Sequence, residues 1–232
     1  MNLAAIKSLI MAGVEWELIT ETVKTSQLRL EANTSQSAKN ASVITHTPMS
    51  YQKILAEGTR LAAQDDINNA ICQFHAHPLY NSAKNTVLPW RAGKRLCVVT
   101  DMPSLSDDAT GEILSGVDGK LFDKMMTAIG IARSEVTIIP LVFWRSAGGR
   151  SPTDEELAAT RPIVDRLIGE CGAPKILTLG KLAAEQIAGA KLPGDHGKVF
   201  GNVIVTYKPD FIAQNPGIKA AVFEALKKVT NF

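Results

Sequence analysis

The chain has 232 residues, 45% of them hydrophobic and 21% charged, enough for one good-sized globular domain with a buried core. Lys and Arg number 25 against 23 Asp and Glu, a net charge of +2, which neither demands nor excludes nucleic acid, since binding needs only a local basic stripe. Three cysteines, Cys72, Cys97 and Cys171, form no C-x-x-C pair and no even set, which argues against a disulfide framework. No apolar run reaches about 18 residues, and no basic, apolar, small-residue leader is visible, so a cytoplasmic protein without a membrane span is expected.

In chain order, the N-terminal segment 1–21 carries, over residues 3–21, apolar side chains on one helical face with a Gly in the middle, which reads as one broken helix or two short ones. Residues 22–48 turn to Thr, Ser, Asn, Gln and Ala without periodicity, and are expected to form a polar linker. Residues 49–232 form the expected α/β domain. It opens on a helical region from Tyr51 to about Phe74, with Ile54, Leu55, Leu61, Ile67, Ala70 and Ile71 facing inward. The Pro- and Gly-containing segment from His75 to Arg95 reads as a loop.

From Leu96 onward, short β-branched runs at Leu96–Thr100, Val136–Phe143, Ile176–Leu179 and Val203–Tyr207 alternate with helical patterns at 117–130, 154–171, 181–189 and 217–229. That alternation predicts a three-layer α/β/α fold around a central, mainly parallel four-stranded sheet. Thr153 and Glu156 form a capping box at the start of the 154–171 helix. Ligands bind outside the carboxyl ends of strands in such sheets. The first strand-to-helix loop, with Asp101, Pro103, Ser104, Asp107 and Asp108, is therefore where a site is expected.

The order of short motifs carries a resemblance. Thr100-Asp101-Met102-Pro103-Ser104 is followed by Asp107-Asp108, Gly111, Ile113-Leu114-Ser115-Gly116 and the helix LFDKMMTAIGIAR. Downstream come Pro140 to Pro152, with Trp144, Arg145 and Arg150, then PKILTLGKLAAEQI, and finally Thr206-Tyr207-Lys208-Pro209 with Lys219 beyond. Together they resemble the uracil-DNA glycosylase superfamily, most of all its iron–sulfur-containing family 4 enzymes. The resemblance implies base-excision chemistry on DNA. A base is flipped out of the duplex at a cost of a few kcal/mol and read in a pocket. Its N-glycosidic bond is then hydrolysed with a carboxylate near the sugar and donors near the departing base.

Carried onto this chain, the resemblance gives Asp101 and Lys208 as catalytic residues, where family 4 has Glu and His. It gives Thr100, Met102, Pro103, Leu114 and Pro140 as the base pocket, and Ser104, Arg145, Arg150 and Pro209 as DNA contacts. Leu114 stands where the family stacks an aromatic on uracil, and Pro140 stands where an Asn reads its edge. Proline offers neither a side-chain donor nor a backbone N–H. The uracil-reading pocket is therefore expected to be eroded. Three outcomes stay open: a DNA glycosylase or close derivative acting on uracil or deaminated bases, a catalytically inactive descendant that binds DNA or a protein partner through the old cleft, or a pocket that Met102, Leu114 and Pro140 shape for another base or nucleotide. A monomer is expected in every case.

The family's iron–sulfur cluster needs four thiolates, whereas the positions that align with its ligands hold His77, Trp144 and Thr160. No cluster and no other metal is expected. Plainer readings stand beside these. Asp101 can serve as a turn residue satisfying loop amides, and Asp107 and Asp108 as capping or solvent-facing groups. His75 and His77 read as loop residues rather than metal ligands. Gly148-Gly149-Arg150 reads equally as a simple loop or a phosphate contact.

Overall fold

A computed structural model describes residues 51–230. The N-terminal helical segment and the polar linker expected at 1–21 and 22–48 lie outside the described residues. Helix α1 (Tyr51–Ala62) and helix α2 (Ile67–Cys72) lead into strand β1 (Trp90–Arg91) and strand β2 (Leu96–Thr100). Helices α3 (Leu105–Thr110) and α4 (Gly116–Ala128) precede strand β3 (Val136–Pro140), and α5 (Asp154–Cys171) precedes β4 (Ile176–Leu179). Helix α6 (Lys181–Ala188), strands β5 (Val199–Phe200) and β6 (Val203–Thr206), and helices α7 (Pro209–Gln214) and α8 (Lys219–Thr230) complete the described chain.

The sheet has six strands in the order β1-β3-β2-β4-β6-β5 among the described residues. The four expected strands form its parallel centre, and the four-stranded expectation is corrected by two-residue antiparallel strands at each edge. Short edge strands limit pairing with another chain. Both faces of the sheet are covered, as the alternation along β2 records: Cys97 and Val99 pack with α1 and α5, while Leu96 and Val98 pack with α4 and α8. Helices α1 and α5 approach so closely that a Cβ at Gly58 would lie 2.0 Å from the Ala159 carbonyl oxygen.

Several boundaries differ from expectation for local reasons. The Tyr51–Phe74 helical region is two helices, because Asp66 accepts the Asn69 amide and starts α2 afresh. Strand β3 stops at Pro140 rather than Phe143. Beyond it the Leu141 amide turns to the Thr100 carbonyl, at 2.9 Å. Part of the first strand-to-helix loop is helical: Ser104 and Asp107 cap each other at the start of α3. The Thr153–Glu156 capping box is present at the head of α5. Met125 and Met126 are both buried.

Candidate functional site

Register fixes the geometry of the carboxyl edge. Thr100 pairs with Pro140 and Leu179, and Leu179 pairs with Thr206, so the four central strands end in one row. The residues that follow, Asp101, Gly180 and Tyr207, emerge side by side above that row. They line one cavity of about 430 Å³, together with Lys208, Asp210 and Phe211, a size typical of small-ligand sites.

Asp101 is 8% exposed. Its Oδ1 accepts the Ala183 amide at 2.7 Å, and the Leu182 amide also points to the carboxylate. Gly180, at the N-cap of α6, has no side chain to perform that service. The Asp101 carboxylate therefore caps α6 from a distance, as anions do at helix N-termini. Burial nevertheless pushes its pKa up to about 6, against the pull of the Ala183 amide and the Lys208 ammonium. Lys208 stands at the N-cap of α7 with its Nζ 3.7 Å from an Asp210 carboxylate oxygen. Asp118, from the first turn of α4, is half-buried. Its own pKa is raised by burial and then by the nearby Asp210 and Asp107 carboxylates. Three carboxylates thus surround one lysine.

One wall is aromatic. The Tyr207 ring stacks on His196 at 4.5 Å and 20°, and Phe211 lies 4.9 Å from Tyr207 at 31°. Phe211 is 44% exposed at the end of this ladder. The sequence carried a signal for the pair, aromatics four apart astride Lys208-Pro209 at a helix start. The Leu192–Pro193 segment, which also lines the cavity, carried none.

A model of the uracil DNA glycosylase superfamily matches residues 91–229, a span running from β1 to the last turn of α8. The chain belongs to the uracil DNA glycosylase superfamily. It is similar to the type-4 uracil-DNA glycosylase of Archaeoglobus fulgidus, 27% identical over 186 residues that cover 71% of this chain and 90% of the relative. The type-4 enzyme of Pyrobaculum aerophilum is 26% identical over 158 residues, 61% of this chain and 80% of the relative. That of Thermotoga maritima is 25% identical over 185 residues, 75% and 96%.

Set against what the superfamily resemblance implied, the structure joins some positions and separates others. Asp101 and Lys208 share the cavity, but none of Thr100, Met102, Pro103, Leu114 and Pro140 lines it. Thr100, Pro103, Leu114 and Pro140 are buried, and Met102 is half-buried with its sulfur 3.9 Å from the Ser146 hydroxyl. Leu114 takes a φ of 50°, and its carbonyl accepts Arg133 Nη1 at 3.2 Å. The residues expected to touch DNA are engaged within the fold. Ser104 caps α3, and Pro209 is the buried first residue of α7. Arg145 donates to the Pro103 carbonyl at 3.2 Å, and Arg150 grips the buried Glu156 carboxylate with two bonds of 2.8 and 2.6 Å. Asp107 is buried and accepts from Ser104, Ser115 N and Ser115 Oγ, while Asp108 takes the Lys84 and Asn85 amides. Both acids organise loops.

The positions aligned with iron–sulfur ligands do come together, but their chemistry does not fit a cluster. His77 stacks on Trp144 at 4.7 Å and 28°. Its Nδ1 accepts the Leu79 amide at 3.2 Å, so Nε2 carries the proton and donates to the Glu156 carbonyl at 3.0 Å. Thr160 Oγ1 donates to the Leu141 carbonyl at 2.6 Å. Phe74, Tyr80 and Phe143 pack edge-on around Trp144. The chain's three cysteines fall short of four thiolates, and none is among these residues. An aromatic and imidazole plug fills the place.

Burial first of all lowers the His77 pKa from 6.5. The neutral ring's contribution to stability is then complete above about 6.5 and is lost as pH falls through the folded value. His77→Gln, which removes the titration, is expected to be less stable than the parent near neutrality and to lose less on acidification. Urea midpoints at several pH values check this. An unchanged acid limb in the variant would assign that limb to other groups.

Proposed function

We propose that this protein is a DNA glycosylase that takes an extruded base into the Asp101–Lys208 cavity and hydrolyses its N-glycosidic bond. The observation that carries the reading is a buried carboxylate, with its pKa held near 6, lining the same cavity as a lysine ammonium at the carboxyl edge of a superfamily fold. Above that pKa the Asp101 anion opposes positive charge developing on the sugar and orients the attacking water. Lys208 donates a hydrogen bond to the base as it leaves with the bonding electrons, the water oxygen bonds to the sugar carbon, and the proton that the water sheds passes to Asp101 and on to the released base. Such aimed charges are worth most in a water-poor site. With Oδ1 committed to Ala183, Oδ2 is the oxygen left for this work. Activity is therefore expected to rise with pH through about 6.

Base choice in this reading moves to a different wall. Phe211, at the exposed end of the ladder that Tyr207 backs, supplies the aromatic face absent at Leu114. Asp210 and Lys208 supply an acceptor and a donor for a base edge, in place of the amide missing at Pro140. A panel of oligonucleotides carrying uracil, hypoxanthine, xanthine and alkylated bases tests the proposal by base release and alkaline strand scission. Release of none of them from single- or double-stranded DNA sinks it. Phe211→Ala is expected to weaken retention of the preferred oligonucleotide by about 10-fold, in line with ~1–3 kcal/mol per stacked base. Retention of the same oligonucleotide with an abasic site should stay unchanged, as a control on folding and backbone contacts.

The capping bond from Asp101 to α6 favours a second reading, in which the carboxylate is structural and the protein holds DNA without cutting. Salt-sensitive retention without release of any base distinguishes that descendant from the enzyme.

A further inference from the structure

The end of the sheet remote from Asp101 holds a second reactive group that base excision does not use. Cys97, the second residue of β2, is the register partner of Thr137 on β3. Cys171, the last residue of α5, packs in the same buried cluster as Cys97. Both are free thiols. Cys171 and Thr137 line a small cavity of about 150 Å³, flanked by Arg91, Lys94 and Glu170. Its positive charges attract small anions and stabilise a thiolate, though Arg91 is partly spent on Glu170 at 2.7 Å.

We propose that Cys171 is a peroxide-reactive thiol and that Cys97 resolves its sulfenic acid into an intramolecular disulfide. The thiolate of Cys171 attacks one oxygen of hydrogen peroxide. The O–O bond breaks, an S–O bond forms, and with one proton taken up a water leaves, giving Cys171–SOH. The Cys97 sulfur then attacks the Cys171 sulfur. The S–O bond breaks, and the hydroxyl departs as water with the Cys97 proton. Two thiols and one peroxide yield one disulfide and two waters.

The electrostatics agree with these roles. The Cys97 thiol donates to the Cys171 sulfur. Against the cost of burial, this bond, the Ala173 amide and the Lys94 ammonium bring Cys171 down to about 6. Low thiol pKa is what makes a cysteine reactive at neutral pH. The same bond, followed by burial, pushes Cys97 far up, and oxidation of Cys171 removes the anion responsible. The cavity's size admits a molecule as small as hydrogen peroxide. Cys72 is exposed and its thiol is raised by desolvation, which places it outside the pair.

The test uses the full chain in a Cys72→Ser background, treated with a few equivalents of hydrogen peroxide and read by intact mass and peptide mapping. The expected product has lost two hydrogens, links the Cys97 and Cys171 peptides, melts several degrees higher because a long loop is closed, and reverts with dithiothreitol. Cys97→Ala should accumulate a sulfenic acid that dimedone traps at Cys171, and the oxidation rate should halve near pH 6. The proposal is overturned by a monomer of unchanged mass, by intermolecular linkage, or by Cys171→Ala consuming peroxide as fast as the parent. The linked-peptide readout on the parent chain stands even where a buried substitution impairs folding.

Discussion

Asp101→Asn is expected to make the protein more stable at about pH 8 while abolishing base release, by some 1–3 kcal/mol of the ~3 kcal/mol that a shift of this size represents. The asparagine keeps an oxygen for the Ala183 amide, now 2.7 Å from Oδ1, and removes a charge that burial penalises. The sign follows from the raised pKa, about 6 in the folded chain against 3.8 when unfolded. Between those values the folded state holds more protons, so the parent gains stability as pH falls through 6 and the gain is complete below 3.8. The variant has no such titration, and its advantage should shrink on acidification and vanish near the lower value. Chemical denaturation of both proteins across that range measures the difference directly. A variant less stable than the parent at every pH would make helix capping, rather than chemistry, the reason for the carboxylate. Natural chains keep such costly groups where activity repays the lost stability.

His77 titrates in the opposite sense over an adjoining range, because its folded pKa is depressed. The parent's own pH profile therefore mixes a gain from Asp101 with a loss from His77, and neither slope can be read from it alone. Differences between parent and each single variant separate them, since the two side chains share no hydrogen-bond partner.

How much of this was legible in the sequence varied with the length scale of the interaction. Strands β2, β3, β4 and β6 announce themselves as β-branched runs because burial on both faces demands it, and the pattern of Leu96 to Thr100 needs no tertiary context. The edge strands at Trp90–Arg91 and Val199–Phe200 are two residues long and exist only through pairing with a neighbour, so no local signal precedes them. Helices α3 and α7 are six residues each, too short for periodicity, and the Ser104–Asp107 cap that starts α3 emerged only in the structure. At the site, motif order located Asp101 and Lys208 because both follow strands whose ends the register aligns. It did not locate the cavity. Met102, Leu114 and Pro140 occupy the expected positions along the chain, but their size and apolarity turn them into packing, and the open space lies beside β4 and β6 instead. The cysteines repeat the lesson. An odd count argued against a disulfide framework, whereas the meeting of β2 and the end of α5 that pairs Cys97 with Cys171 is purely tertiary.

Gly180→Ala is expected to be the most damaging single methyl at the site, costing about 3 kcal/mol or more and abolishing base release. Two independent causes act at this residue. Its backbone sits at φ 117° and ψ 174°, a region essentially confined to glycine, where other residues pay ~1–3 kcal/mol. A Cβ built there would lie 2.3 Å from Asp101 Oδ2 and 2.5 Å from its Cγ, so the carboxylate must move and α6 loses its cap. Gly189→Ala, at the other end of α6, is the matched control. Its φ is +63° but nothing lies within 4 Å of the added carbon, and only the left-handed penalty of ~1–2 kcal/mol applies. The double variant Asp101→Ala/Gly180→Ala relieves the collision and leaves the strain. It should therefore be more stable than the sum of its single changes predicts, by an interaction energy of ~1–3 kcal/mol. Additivity, together with a Gly180→Ala cost no larger than that of Gly189→Ala, would mean that the carboxylate does not press on this glycine. Coupling of the expected size would show that the absence of a side chain at the head of α6 is what lets a charged group from β2 serve as both the helix cap and the floor of the cavity.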